Sequence, residues 1–202
     1  WQGKLADGTA LTGTNFLGSD GSVRVHHALY SLFGSVQGSV TFAADGSAST
    51  SGFGWYKPAQ TAASRSYKDG FALHSLDLSG SKFVKPGSGV HVLGLSGTAS
   101  NAKFTFTDGG LTAELTQLCN FPATNLITFP ASNPNLVKIT KAVNLATGIF
   151  EGSLTVDGRI ATFAGIAMQG SSQAHGFFNL PGLLPSATTS PILSGKLVLA
   201  AP

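Results

Sequence analysis

Acidic residues are scarce in this chain, and most of the few are already committed. Asp and Glu together number nine in 202 residues, and only two of them are Glu. Six of the seven aspartates stand directly before glycine: Asp7-Gly8, Asp20-Gly21, Asp45-Gly46, Asp69-Gly70, Asp108-Gly109 and Asp157-Gly158. Asp77, Glu114 and Glu151 alone remain for other tasks, which speaks against the paired carboxylates that a glycosidase needs. So few Glu also argues against amphipathic surface helices. There is one cysteine, Cys119, so no internal disulfide and no cysteine metal cage can form. In Leu118-Cys119-Asn120-Phe121 it reads as a small buried hydrophobe, since no electropositive neighbours would activate it. Charge of either sign is low at 10%, against 42% hydrophobic residues, the reverse of a disordered composition. The net charge of +3 comes from few acids rather than many bases. The twelve Lys and Arg are scattered without a basic stripe, which argues against nucleic-acid binding. No apolar run is long enough to cross a bilayer as a helix.

What is present is turn chemistry and a period of two. Asp-Gly is the strongest short-range hairpin signal, because tight turns need positive φ, which Gly supplies and Asp tolerates. Between these turns, apolar and polar residues alternate, as in Ala102-Lys103-Phe104-Thr105-Phe106 and Ser153-Leu154-Thr155-Val156. Alternation means strands with one buried face. The spacing predicts about thirteen to fifteen strands of an antiparallel meander. They centre on Leu5, Leu11, Val25, Val40, Phe53, Leu73, Val92, Phe104, Leu115, Ile127, Ile139, Leu154, Phe163, Phe177 and Val198. Pro58 to Ser66 reads as an irregular loop. So do Asn120 to Asn135 and Leu180 to Pro191, each with three prolines, which central strands exclude. The second could fold back over a sheet edge.

One hairpin is reused. Trp1-Gln-Gly-Lys-Leu-Ala-Asp-Gly, Val36-Gln-Gly-Ser-Val-Thr-Phe-Ala-Ala-Asp-Gly and Phe150-Glu-Gly-Ser-Leu-Thr-Val-Asp-Gly share one pattern, over residues 1–16, 36–56 and 150–166. The third-position glycine falls mid-strand, where it marks a bend or a close backbone approach. The fold class expected is all-β, one domain over residues 1–202, with a β-barrel favoured over a β-sandwich because closure removes sheet edges.

Chemical motifs are thin. His26 and His27 are adjacent, so on a strand they face opposite ways and cannot share an ion. Gly94-Leu95-Ser96-Gly97 lacks the full nucleophile-elbow pattern and its α/β framework. No glycine-rich segment leads into Lys-Ser/Thr and a helix, so a phosphate cradle is not expected. Neither catalytic residues, nor a metal, nor a cofactor is expected. The best binding candidates are Trp55-Tyr56 and Phe177-Phe178, as a platform for a glycan or a protein partner. Against that, Phe53, Trp55 and Phe177 share strand parity and read more simply as core.

Several blocks, in order along essentially the whole chain, carry a resemblance. They are Gly3-Lys-Leu-Ala-Asp-Gly-Thr-Ala10; Asp20-Gly to Leu29-Tyr30 with Gly38-Ser-Val-Thr-Phe42; and Trp55-Tyr-Lys-Pro58 with Tyr67-Lys-Asp-Gly-Phe71. Thr147-Gly-Ile-Phe-Glu-Gly-Ser153, Phe163-Ala-Gly-Ile-Ala-Met-Gln169, and His175-Gly-Phe-Phe178 with Ser194-Gly-Lys-Leu-Val-Leu199 follow. Together they resemble the C-terminal all-β domain of verrucomicrobial and planctomycetal secreted surface proteins. The resemblance implies a secreted or cell-surface bacterial module without enzymatic activity, whose partners are the rest of a longer polypeptide or other subunits. It also implies strands preceding Trp1, which would leave an unpaired edge along Trp1–Leu5. The Leu180–Pro191 segment departs from the family pattern by lengthening the connection to the last strand.

Overall fold

The computed structural model describes residues 1–61, 64–182 and 189–202, with Ser51 as backbone only. The chain is all-β. Its strands are β1 (Gln2–Lys4), β2 (Ala10–Thr12), β3 (Ser22–Leu29), β4 (Gly34–Phe42), β5 (Ser47–Lys57), β6 (Phe71–Leu76) and β7 (Ser79–Ser81). Then come β8 (Ala102–Asp108), β9 (Leu115–Cys119), β10 (Lys138–Lys141), β11 (Ile149–Val156), β12 (Arg159–Met168), β13 (Gln173–Pro181) and β14 (Ile192–Ala200). A single 3-10 turn at Gln169–Ser171 is the one helical element among the described residues. Every strand pairing is antiparallel.

Backbone contacts divide the chain into two compact units, Trp1–Lys82 and Phe83–Pro202. In the first, β1 and β2 form a hairpin, and among the described residues β1 pairs with β2 alone. A five-stranded sheet runs β3-β4-β5-β6, with β7 paired to the start of β5. Leu5, Val25, Leu29, Val36, Val40, Phe53 and Trp55 make its core. In the second unit, one seven-stranded sheet runs β10-β11-β12-β13-β14-β8-β9 and curls as a half-barrel. The meander β10 to β14 meets the earlier hairpin β8-β9 through β14, so one non-local pairing completes the sheet.

The concave face of that sheet is built from strand parity. Phe104 and Phe106, then Leu154, Phe163, Phe178, Leu197 and Leu199, alternate inward and are all buried. Their rings interlock: Phe163 lies 5.7 Å from Phe104 and 5.6 Å from Phe106, and Phe178 lies 5.7 Å from Phe106. Such offset or edge-on aromatic pairs add to burial energy. Mid-strand glycines make room for these rings. Gly152 faces Phe163, Gly165 faces Phe150, and Gly195 faces Phe178, each in register on the neighbouring strand, with the ring lying where a Cβ would stand. In the first unit the backbone and ring of Phe53 crowd Gly38, at a break in the β4–β5 register. The close approach expected of the repeat's third-position glycine is therefore found at Gly38 and Gly152. Gly3 has open space instead.

All six Asp-Gly pairs turn the chain, but they do so in three ways. Asp157-Gly158 is the tight two-residue hairpin: both residues have positive φ, 48° and 74°, and Val156 pairs with Arg159 directly across it. At Asp7-Gly8 and Asp45-Gly46 only the glycine is left-handed. There Gly8 N–H donates to Leu5 and Gly46 N–H to Ala43, each a type I turn closed by a glycine bulge. The Asp side chain caps the turn, accepting from the amide of Thr9 or of Ser47. Asp20-Gly21 and Asp69-Gly70 use a similar turn to enter β3 and β6, while Asp108-Gly109 opens the longer β8–β9 connection.

Three expected strand centres lie in loops: Leu5, Val92 and Ile127. All three are nonetheless buried. Leu5 is bonded within its own turn, to Thr9 and Gly8, and Val92 is bonded by a distant side chain rather than by a ladder. Val92 N–H donates to Asn125 Oδ1 at 2.8 Å, and Asn125 Nδ2 donates back to the Val90 carbonyl at 2.9 Å. A buried side-chain amide does there what a neighbouring strand would otherwise do. The proline-rich Asn120–Asn135 stretch is a loop as expected, with one isolated bridge between Asn120 and Thr128. Of the other two expected loops, residues 62–63 and 183–188 lie outside the described residues.

Candidate functional site

The residue pairs expected as a binding platform, Trp55-Tyr56 and Phe177-Phe178, belong to different units. Strand periodicity splits each pair between two faces. Trp55 is buried in the first core, while its neighbour Tyr56 is exposed. Phe178 is fully buried in the second core, and Phe177 lies on the opposite face of β13, half-buried. The core position on β13 is thus Phe178 rather than Phe177. Trp55 is held edge-on by Tyr67 and Phe71 at 5.7 and 4.7 Å, so its ring face is not offered to a sugar.

The most concentrated chemistry lies in the first unit, around a residue that the sequence reading used only as a turn former. On β5, Phe53, Trp55 and Lys57 share the inward face by period-two alternation, which drives a lysine into the interior. Its stem and ammonium are buried, with side-chain exposure of 3%. The Asp7 carboxylate, from the β1–β2 turn, meets it with 2% exposure and a 2.8 Å contact between Lys57 Nζ and Asp7 Oδ2. Lys57 Nζ also donates to the Ser66 carbonyl at 2.8 Å and sits 4.7 Å above the Tyr30 ring, a cation–π contact. Tyr30 Oη donates to the same Asp7 oxygen at 2.6 Å, and Trp55 Nε1 donates to Tyr30 Oη at 3.0 Å. The other Asp7 oxygen accepts the Thr9 amide at 2.9 Å.

Burial pushes the Asp7 carboxyl up, but the hydrogen bonds from Lys57, Tyr30 and Thr9 outweigh it and hold the group below the ordinary carboxylate range. Tyr30 is driven far above the usual phenol value, first by burial and then by its bond to Asp7, so it remains a donor. Tyr30 itself stands in the left-handed region at φ 52°, followed by Ser31 at 57° and Leu32 at 77°. Three successive non-glycine residues in that region are unusual, and Tyr30 makes its Asp7 and Trp55 contacts from this turn.

A signal for this cluster existed in the sequence. A lysine at core parity, Phe53-x-Trp55-x-Lys57, requires a buried counter-charge. Which carboxylate supplies it depends on the packing of two sheets, which no local pattern encodes.

In the second unit a cleft of about 470 Å³ is lined by Leu111, Leu115, Val156, Arg159 and Leu193, among others. Arg159, first residue after the Asp157-Gly158 turn, is buried and donates to the Pro181 carbonyl at 2.9 Å and to Asp157 Oδ2 at 3.1 Å. Its Nε meets no acceptor among the described residues. Elsewhere, Glu151 pairs with Lys141 across β10 and β11 at 2.9 Å in an exposed ion pair. His26 and His27 point to opposite faces of β3, and His27 meets Trp1 edge-on. Among the described residues no three His, Cys, Asp or Glu side chains are grouped to hold a metal. Among the described residues no helix is long and apolar enough to cross a membrane.

Comparison with protein families, curated proteins and solved structures finds no match to this chain.

Proposed function

We propose that this chain is a non-enzymatic structural or assembly β-module of a bacterial surface or secreted protein. The observation that carries the reading is the filled concave face of the second unit's sheet. Phe104, Phe106, Phe150, Phe163 and Phe178 occupy with interlocked rings the space in which a ligand-binding barrel would keep an apolar lumen. The glycines beneath those rings support a strongly coiled, barrel-like sheet over a flat sandwich. Its partners are the rest of a longer polypeptide or other subunits. Phe16, Leu17, Leu32 and Phe33 stand exposed in the first unit and suit such an association, with few charges opposing it. The resemblance to verrucomicrobial and planctomycetal surface domains points the same way.

A second reading, a small-ligand or glycan-binding barrel, draws on the Arg159 cleft, whose buried guanidinium suits a carboxylate or a sugar hydroxyl. One measurement tests the location and another separates the two readings. Antibodies against the chain should stain intact source cells, and a panel of sugars and small carboxylates should leave its melting temperature unchanged. Staining only after permeabilisation would overturn the location. A saturable rise in melting temperature with one ligand would overturn the structural reading in favour of the second.

A further inference from the structure

The buried cluster of the first unit is arranged for more than an ion pair. We propose that Asp7 and Lys57 condense to an intramolecular amide, a covalent cross-link between the β1–β2 hairpin and the sheet that carries β5. The chain has one cysteine and so no disulfide of its own, and this pair joins residues 50 apart at the same kind of place a disulfide would.

Three observations carry it. First, the reacting groups are already in contact: Lys57 Nζ lies 2.8 Å from Asp7 Oδ2, with both side chains almost wholly out of water. Held in that geometry, the pair reacts as one molecule, and exclusion of water removes the solvent that would hydrolyse the product. Second, a buried ion pair bears the desolvation of two charges, whereas an amide bears none. Third, the hydrogen bonds of the product are in place beforehand. Asp7 Oδ1, which stays as the amide oxygen, accepts the Thr9 amide at 2.9 Å. Lys57 Nζ, which keeps one N–H, donates to the Ser66 carbonyl at 2.8 Å. The oxygen that must leave, Oδ2, is the one that Tyr30 Oη contacts at 2.6 Å.

The step balances without any co-reactant. The Lys57 ammonium passes one proton to the Asp7 carboxylate across their hydrogen bond, leaving an amine and a carboxylic acid. The amine lone pair attacks Cγ and the Nζ–Cγ bond forms. Tyr30 donates to Oδ2 as the Cγ–Oδ2 bond weakens, and the second proton passes from nitrogen to that oxygen. The Cγ–Oδ2 bond breaks and Oδ2 leaves as water. Three ammonium protons become one amide N–H and two protons of water, and nothing is oxidised or reduced. Trp55 Nε1, donating to Tyr30 Oη at 3.0 Å, keeps the hydroxyl proton pointed at Asp7.

The test is the intact mass of the purified, folded chain, with folding checked by near-ultraviolet circular dichroism. The expected mass is that of the sequence less one water, with a branched fragment joining Asp7 to Lys57 in a chymotryptic digest. A folded chain at the full sequence mass overturns the proposal. Asp-Gly pairs can also lose water by cyclising on themselves, so Lys57→Met serves as the control. It should return to the full sequence mass; a water loss that persists in it places the dehydration at an Asp-Gly and overturns the link. In Tyr30→Phe, newly synthesised chain should lose water roughly a hundredfold more slowly. A wild-type rate there would overturn the role given to Tyr30.

Discussion

The ring of Phe163 on β12 lies across Gly152 on β11, its partner in register, in the space that a side chain at position 152 would need. Gly195 under Phe178 and Gly165 under Phe150 repeat the arrangement. The glycine lets the ring lie flat along the neighbouring strand, and the ring fills what would otherwise be a gap in the sheet's face. Gly152→Ala should therefore destabilise the second unit by about 1–3 kcal/mol through overpacking. Gly3→Ala, with open space around it, should stay within about 0.5 kcal/mol of wild type. Denaturant melts followed by circular dichroism would check both, since Trp1 and Trp55 both lie in the first unit and report only on it.

Gly158 isolates the backbone contribution of a turn. No atom stands within 4 Å of a Cβ built there, yet its φ is +74°. Gly158→Ala should cost about 1 kcal/mol from the left-handed conformation alone. Gly158→Asn should recover part of that loss in the same melts, because Asn tolerates this region better.

His91 should make the second unit sensitive to mild acid. Its Nδ1 accepts the Leu93 amide at 3.0 Å, so the ring proton sits on Nε2 and is donated to the Phe121 carbonyl at 2.7 Å. Burial lowers its pKa below the ordinary histidine value, although the bond to Phe121 opposes this. The unfolded chain therefore binds a proton more readily than the folded one. Stability contributed by neutral His91 is fully present above the unfolded value of about 6.5 and is lost as pH falls through the folded value. Melts at pH 8 and pH 5 should show a drop toward acid that His91→Gln reduces, and NMR titration of the ring should place its midpoint below that of a free histidine.

Cys119 should be inert while the chain is folded. Burial pushes its thiol up to about 12, and the side chain has no exposure. A chromogenic disulfide reagent should titrate no thiol in native protein and one thiol per chain in denaturant. Rapid native reaction would show that β9 opens readily.

Much of this fold was legible locally. Alternation placed Phe104, Leu154, Phe163 and Val198 correctly on strands, and Asp-Gly marked six turns, because both signals depend on a few neighbouring residues. Val92 and Ile127 show where the same logic stops. Both are apolar and buried, yet neither lies on a strand, and the loop at Val92 is held by a side chain from elsewhere, Asn125. On β13 the core position is Phe178, over Gly195, one residue beyond the expected Phe177, and two adjacent phenylalanines give no local reason to choose. The cluster at Lys57 was hidden for a related reason, since Asp7 already had a sufficient role as a turn former.

The sequence by itself determined an all-β chain of antiparallel hairpins, poor in free acids and without a disulfide, since composition, turn chemistry and a period of two are local properties. The tertiary structure alone decided which sheet order closes through β14 and β8, and which carboxylate meets the buried lysine. Both depend on residues far apart in the chain: Asp7 and Lys57 become neighbours only when one hairpin packs on one sheet, and the 2.8 Å between them follows from that packing.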